Sequence, residues 1–394
     1  MTLNSKKISR PRILCFVSHY LPGYKSGGPV KSINNLVEHL SDDFEFLIIT
    51  TDRDLKDKKP YPAIRINQWN KVGNAKVFYA SKSFMNIISL LKFIKTTKHD
   101  IIYLNSFFNF RFTIIPLIIR KFFLSLDTPF ILVPRGEFSA EALNIKFWKK
   151  KLYIVVASMI NLFDKIVWQA ASKSEYKDIF INLSIKKNLV KIAPDLSKKY
   201  KTSKKFNLKK NKKTPGNLKI IFLSRINPMK NLDFLIKVLD RTKKKISLNI
   251  YGPIEDKKYW NKCKNLINHM PSNIVVIYKG VALPNKINSI ISNYHLLILP
   301  SRGESYGHVI LESLTAGTPV MISNKTPWKK TKNSITVFPL KNTNKWIKEI
   351  EKWVDFDEDK LLKRRLSALK YAKQYLFKKE SVIKNKNFFL HFIN

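Results

Sequence analysis

Short apolar runs alternate along the chain with segments whose apolar residues recur at helical spacing. In the first half the runs cover 13–17, 46–50, 101–104, 130–133 and 165–168, each the length of a buried strand. Between the first two, Val30, Ile33, Leu36, Val37 and Leu40 mark one face of a helix. A second series begins at Lys219. Its strands are expected over 219–224, 247–251, 274–278, 295–299 and 320–323, with helical stretches near 232–241, 257–268, 285–292 and 307–316. Such alternation predicts parallel α/β units. Between the two series, 196–217 loses its apolar period and turns polar and basic, as an interdomain linker does. The tail over 360–394 is helical and aromatic, with Tyr371, Tyr375, Phe377 and Phe388. The expected architecture is two doubly wound, Rossmann-like domains, 1–195 and 218–375, facing a central crevice. Ligands of such sheets bind at the carboxyl ends of the strands.

Composition agrees with two packed interiors. A length of 394 residues exceeds one ordinary core, and 44% hydrophobic with 12% aromatic residues excludes a disordered or fibrous chain. Charge adds a question: 73 Lys and Arg stand against 28 Asp and Glu, a formal net +45. An anionic partner, nucleic acid or an anionic membrane surface, would suit that excess. So would a proteome drifting toward Lys-, Asn- and Ile-rich codons, and charge alone assigns no function. The basic stretch lacks regularly placed aromatics for base stacking, and the charge is spread rather than clustered, so no nucleic-acid partner is expected. Cys15 and Cys263 are far apart and match no zinc spacing, which fits free thiols in a reducing cytoplasm. The run over 13–17 is too short for a signal peptide and reads as the first strand. The apolar stretches 112–126 and 152–163 fall short of the ~20 residues needed to span a bilayer. Each reads as a core helix, with a position on a membrane surface as the alternative.

Chemistry concentrates between His295 and Trp328. A buried strand ends at Leu299 and Pro300, a loop of Ser301, Arg302, Gly303, Glu304, Ser305, Tyr306 and Gly307 follows, and a helix carries Glu312 one turn in. Gly317 with Thr318 and Pro319 closes that helix. Backbone N–H groups of Ser305 to His308 would be free to hold a phosphate at the positive end of the helix dipole. Glu304 and Glu312 could accept bonds from sugar and ribose hydroxyls; taken alone, each could equally be an ordinary acid of a helix. Upstream, Arg225 ends a strand and Lys230 begins the next helix, so both could reach one diphosphate.

The whole segment Pro300 to Pro319, with its E-x7-E spacing from Glu304 to Glu312, resembles the donor-site signature of the family 4 retaining glycosyltransferases of GT-B fold. The resemblance implies that Glu304 contacts the donor sugar and Glu312 the nucleotide ribose, with Ser305, Tyr306 and Gly307 supplying phosphate-binding amides. Residues 222–232 resemble the family's Arg-x4-Lys segment, with Ser224 and Asn231 standing where the pattern has glycines. Tyr251-Gly252-Pro253 resembles the base-side loop and makes Gly252 a binding candidate. Gly27 and Gly28 resemble the glycine loop after the first strand; without a third glycine and a downstream ribose acid they are no dinucleotide fingerprint. Val133 to Ser139 resembles a subgroup sequence that makes Arg135 and Glu137 candidates for sugar or acceptor contact. Ser172 and Glu175 match a pattern near the hinge where both act structurally. The likeness is close over 219–328 and weakens beyond Trp328.

These likenesses imply an N-terminal acceptor-binding domain, a C-terminal nucleotide-sugar domain, and a final helix, 376–394, returning to the first. They imply transfer of a sugar from a nucleoside-diphosphate sugar, with retention, to a glycan or lipid-linked precursor of capsule or lipopolysaccharide. Catalysis would fall to Glu304, Arg225 and Lys230. No cofactor and no divalent metal are expected, because the family works without one and no Asp-x-Asp cluster occurs. The expected location is the cytoplasm, peripheral on the inner face of the cell membrane. A sugar-nucleotide epimerase or hydrolase on the same fold is the alternative, and a basic nucleic-acid-binding protein a more distant one.

Overall fold

The computed structural model describes residues 10–124, 128–199 and 213–393. It divides into two compact units: Met1–Tyr24, Pro29–Lys198 and Lys379–Asn394 in the first, Lys25–Gly28 and Lys199–Lys378 in the second. Most of the basic stretch expected as a linker, 200–212, lies outside the described residues.

In the first unit the strands are β1 (Arg12–Phe16), β2 (Glu45–Thr51), β3 (Trp69–Val72), β4 (Ala75–Ala80), β5 (Ile101–Leu104), β6 (Phe130–Leu132), β7 (Val167–Ala170) and β8 (Val190–Ile192). They form one sheet in the order β3-β4-β2-β1-β5-β6-β7-β8, parallel throughout except for the β3–β4 hairpin. β1, β2, β5, β6 and β7 fall where the apolar runs place them. The hairpin and β8 were not expected. Trp69–Val72 alternates exposed and half-buried positions and β8 exposes two of its three residues, so neither shows a continuous apolar run. The helix Glu380–Leu390 packs on this unit: Phe388 and Phe389 join its core, and Asn385 donates to the Pro194 carbonyl at 2.8 Å.

The helix over Phe147–Met159 corrects one expectation. Ala157 is its buried residue, while Trp148, Leu152, Val155, Val156 and Met159 face solvent. It is not a core helix. Among the described residues, no helix is long and apolar enough to cross a membrane.

The second unit holds β9 (Leu218–Leu223), β10 (Ile246–Tyr251), β11 (Ile274–Tyr278), β12 (Leu296–Leu299), β13 (Val320–Ser323) and β14 (Ile335–Phe338), all parallel, in the order β11-β10-β9-β12-β13-β14. This is the doubly wound order, which reverses at β9 and opens a ligand crevice at that strand's carboxyl end. Ile220, Phe222, Leu297 and Leu299 are wholly buried, as strands covered on both faces require. β14 was missed because the residues between Lys329 and Ser334 are polar and basic up to its first position.

At the opposite end of β9 and β12, His295 donates its N–H to the Lys219 carbonyl, and its Nδ1 accepts the Lys219 N–H at 3.1 Å. Burial, with Lys213, Lys219 and Arg365 nearby, pushes the imidazole down to about 3. The unfolded chain therefore binds a proton that the folded one refuses. The stability from neutral His295 is complete above its ordinary value of 6.5 and is lost as pH falls toward 3. Urea unfolding at pH 7, 6 and 5 is expected to show falling stability, with a shallower slope in His295→Gln.

Candidate active site

Four loops leave the carboxyl ends of β9, β10, β12 and β13, and hydrogen bonds tie them into one rim. Arg302 N–H donates to the Met229 carbonyl at 2.8 Å, and Asn231 Nδ2 to the Pro300 carbonyl at 3.0 Å. Ile226 N–H donates to Pro253 at 2.9 Å, and Glu304 N–H to Lys325 at 3.1 Å. Asn231 holds a left-handed conformation at φ 59°, between the short turn Pro228–Lys230 and the helix Leu232–Asp240. Asparagine tolerates that region better than most residues, which explains why a glycine is dispensable there.

Lys230 and Glu304 meet in this rim. Lys230 Nζ lies 2.6 Å from Glu304 Oε1, with side chains 14% and 10% exposed, and Ser301 Oγ donates to the same oxygen at 2.7 Å. Arg225 does not join them. Its guanidinium bonds Glu255 Oε1 at 2.8 Å, and Asn227 Nδ2 also donates to Glu255. The expected diphosphate cations are thus each held by a carboxylate, one of which, Glu255, lies two residues beyond Pro253 of the base-side loop.

The helix His308–Thr315 begins behind Gly307, at φ 80°. The left-handed conformation calls for glycine, whereas a methyl group there would press only on the movable end of Ile310, 2.8 Å from its Cδ1. Among the described residues no acceptor takes the Ser305 or Gly307 N–H, which leaves two donors at the helix's positive end. Glu312 sits half-buried one turn in. The helix closes as expected: Gly317 at φ 71° donates to the Leu314 carbonyl and Thr318 N–H to Ser313.

Tyr306 is buried, and its carbonyl receives Trp328 Nε1 at 2.5 Å. The Trp328 ring lies 4.8 Å from that of Tyr375 and 6.3 Å from Tyr371, on the helix Glu358–Leu376. The sequence had left Trp328 and the tail tyrosines without a role. Together they brace the donor loop from behind. Gly252 also has a structural task. At φ 140° a Cβ would fall 1.8 Å from the Ser224 carbonyl oxygen, while its N–H donates to Gly280 at 2.8 Å.

Gly27 lies at φ 68° and Gly28 starts the helix Gly28–Leu40; a Cβ at either meets no atom within 4 Å. Arg135 and Glu137 are committed to internal partners instead of presenting free charges. Arg135 pairs with Asp195 and donates to Asn105 Oδ1 at 2.7 Å and to the Tyr103 hydroxyl at 3.1 Å. Glu137 accepts the Phe107 and Phe108 N–H groups and the Ser106 hydroxyl. Burial pushes its carboxyl up, against the pull of those donors. Both residues shape the loop after β6. Glu175, buried beside them, takes the Gly136 and Ala171 N–H groups, and burial pushes it up to about 7. Ser172 caps the helix Lys173–Asn182. The expected structural roles of Ser172 and Glu175 are accounted for by these bonds.

Residues 203–374 match the model of the family described as glycosyl transferases group 1. Over that segment the chain is similar to the group 1 glycosyltransferases, and the match supports a glycosyltransferase. A relative from Klebsiella pneumoniae, described as an uncharacterized 41.2 kDa protein in the cps region, is 28% identical over 307 residues, 76% of this chain and 78% of its own. Among solved structures, Anabaena HepE in complex with UDP and glucose superposes with a TM-score of 0.68 at 16% identity, over 96% of this chain and 98% of that one. Sucrose-phosphate synthase from Thermosynechococcus elongatus gives 0.71 at 13% identity, over 98% and 99%. WaaG, a glycosyltransferase involved in lipopolysaccharide biosynthesis, gives 0.65 at 14%, over 95% and 98%. At such identities the likeness is one of fold, and that fold is the GT-B fold expected for this glycosyltransferase.

Two substitutions test the rim. Gly252→Ala forces the Ser224 carbonyl to move and is expected to cost about 2 kcal/mol or more. Trp328→Phe keeps ring packing but orphans the Tyr306 carbonyl, at about 1–2 kcal/mol. Urea unfolding of the glycosyltransferase and its variants measures both.

Proposed function

We propose that the enzyme transfers a sugar from a nucleoside diphosphate sugar, with retention of anomeric configuration, to a lipid-linked precursor of capsule or lipopolysaccharide. The observation that carries this reading is the Lys230–Glu304 pair, set beside the unengaged Ser305 and Gly307 amides at a helix start. As the bond from the anomeric carbon to the phosphate oxygen breaks, its electron pair and negative charge pass to the diphosphate. Lys230, Arg225 and the amides would meet that charge, a stabilisation that grows toward the transition state. Glu304 would accept the sugar's hydroxyls and Glu312 those of the ribose. Glu304 is not assigned as a nucleophile: the acceptor oxygen attacks from the face the phosphate leaves, and its proton passes to the leaving phosphate oxygen. With cationic side chains in that role, no divalent metal is required.

Two comparisons support the substrate classes. HepE was crystallised with UDP and glucose, and the Klebsiella relative is described by its place in a cps region. A panel of UDP-, GDP- and ADP-sugars, assayed for nucleotide release with and without lipid-linked acceptor, tests the reading. Release that depends on acceptor, giving a product of unchanged anomeric configuration by NMR, is expected. Turnover without acceptor points to the hydrolase or epimerase instead. Lys230→Met and Glu304→Gln should each lower kcat by roughly 10²–10³, and wild-type turnover in both overturns the site. Chelation with EDTA should leave the rate unchanged.

A further inference from the structure

The helix Phe147–Met159 turns apolar residues both inward and outward. Tyr153, Ile154 and Ala157 pack on the core of the first unit. On the other side, Trp148, Leu152, Val155 and Met159 recur at helical spacing along one line, 77%, 65%, 46% and 77% exposed. Val156 widens the line at 47%. Exposed apolar residues are ordinary when scattered; a continuous row about 16 Å long is a binding surface. Helical geometry puts Lys149 on one flank and Lys151 on the other, both exposed, and the helix contains no acid. Lys151 Nζ lies 5.6 Å from the Phe147 ring, so its stem runs along the apolar surface.

These flanks choose the occupant. A second copy would bring the same lysines against one another with no acid in the helix to answer them. An anionic bilayer answers both parts of the surface: the row enters the boundary between headgroups and acyl chains, and the ammonium groups stay among the phosphates. We propose that this helix lies in the plane of an anionic membrane surface and docks the glycosyltransferase there through Trp148, Leu152, Val155 and Met159. At 13 residues it rests on the bilayer and does not span it. The inference stands on an exposed helix and not on transfer chemistry, so a failed donor screen leaves it in place.

Flotation of the full chain tests it, using phosphatidylcholine vesicles with and without about a third phosphatidylglycerol. The wild type should float with the anionic vesicles only, and less so as salt rises. The triple variant Trp148→Ser, Leu152→Ser, Met159→Ser should bind about tenfold more weakly with an unchanged melting curve, since these side chains face solvent. The double variant Lys149→Gln, Lys151→Gln leaves the row intact and should lose most of the preference for anionic lipid. Triple and double variants that both float like the wild type overturn the proposal. Equal binding to neutral vesicles overturns it too, as does a lipid-free dimer that the triple variant abolishes.

Discussion

Lys230 reaches Glu304 between the loops that follow β9 and β12, and with both side chains largely shielded from water neither charge can be given up alone. Bringing two ions out of water costs more than an average contact returns, and removing one partner leaves the other uncompensated. The arrangement is therefore sustained by its surroundings. Ser301 adds a second donor to Glu304, Asn227 holds the Lys230 backbone, and Asn231 ties the lysine's loop to Pro300. A doubly wound sheet guarantees that loops meet where its strand order reverses. It does not guarantee that they meet as a charged, ordered surface.

Order of that kind rests on backbone that only certain residues permit. Gly252 lets the ends of β9 and β10 approach closely enough for the Ser224 carbonyl to occupy the space of a side chain. Gly307 lets the helix start abruptly, behind the unengaged Ser305 and Gly307 amides. Trp328 then takes up the Tyr306 carbonyl, so the loop is fixed from the core side while the Ser305 and Gly307 N–H groups stay available. A preorganised set of donors needs no rearrangement when charge develops before it. Here the rigidity comes from a tryptophan and two tyrosines that touch no substrate-facing atom.

The central strands of both sheets were legible because parallel strands buried on two faces must be apolar throughout, as in Ile101–Leu104 and Leu296–Leu299. The edge strands β3, β8 and β14 were not: β3 alternates exposed and half-buried positions, β8 exposes two of its three residues, and β14 follows a polar, basic run. In the site, the segment Pro300 to Pro319 announced itself by local order: strand, loop, helix, glycine cap. Partnership did not. Nothing in the spacing of Arg225 and Lys230 shows that one meets Glu255 and the other Glu304, since those carboxylates are 30 and 74 residues away. The partners of Arg135 and Glu137 were hidden for the same reason. Both are candidates by likeness of Val133 to Ser139 to a subgroup sequence, and each is hydrogen-bonded within the chain, Arg135 to Asn105 and Glu137 to Phe107.

The same limit on periodicity explains the helix Phe147–Met159. A period of 3.6 reveals a helix by the contrast between its two faces, and this helix has apolar residues on both. The contrast that matters is finer: Lys149 and Lys151 at the edges of the outer row, and no acid in the helix. Composition averaged over the chain hides this, because 73 basic residues make any two lysines unremarkable in number. Position restores their meaning. A lysine beside exposed leucine and tryptophan lets one surface satisfy water-filled headgroups and hydrocarbon together, which a lysine on a polar face cannot do.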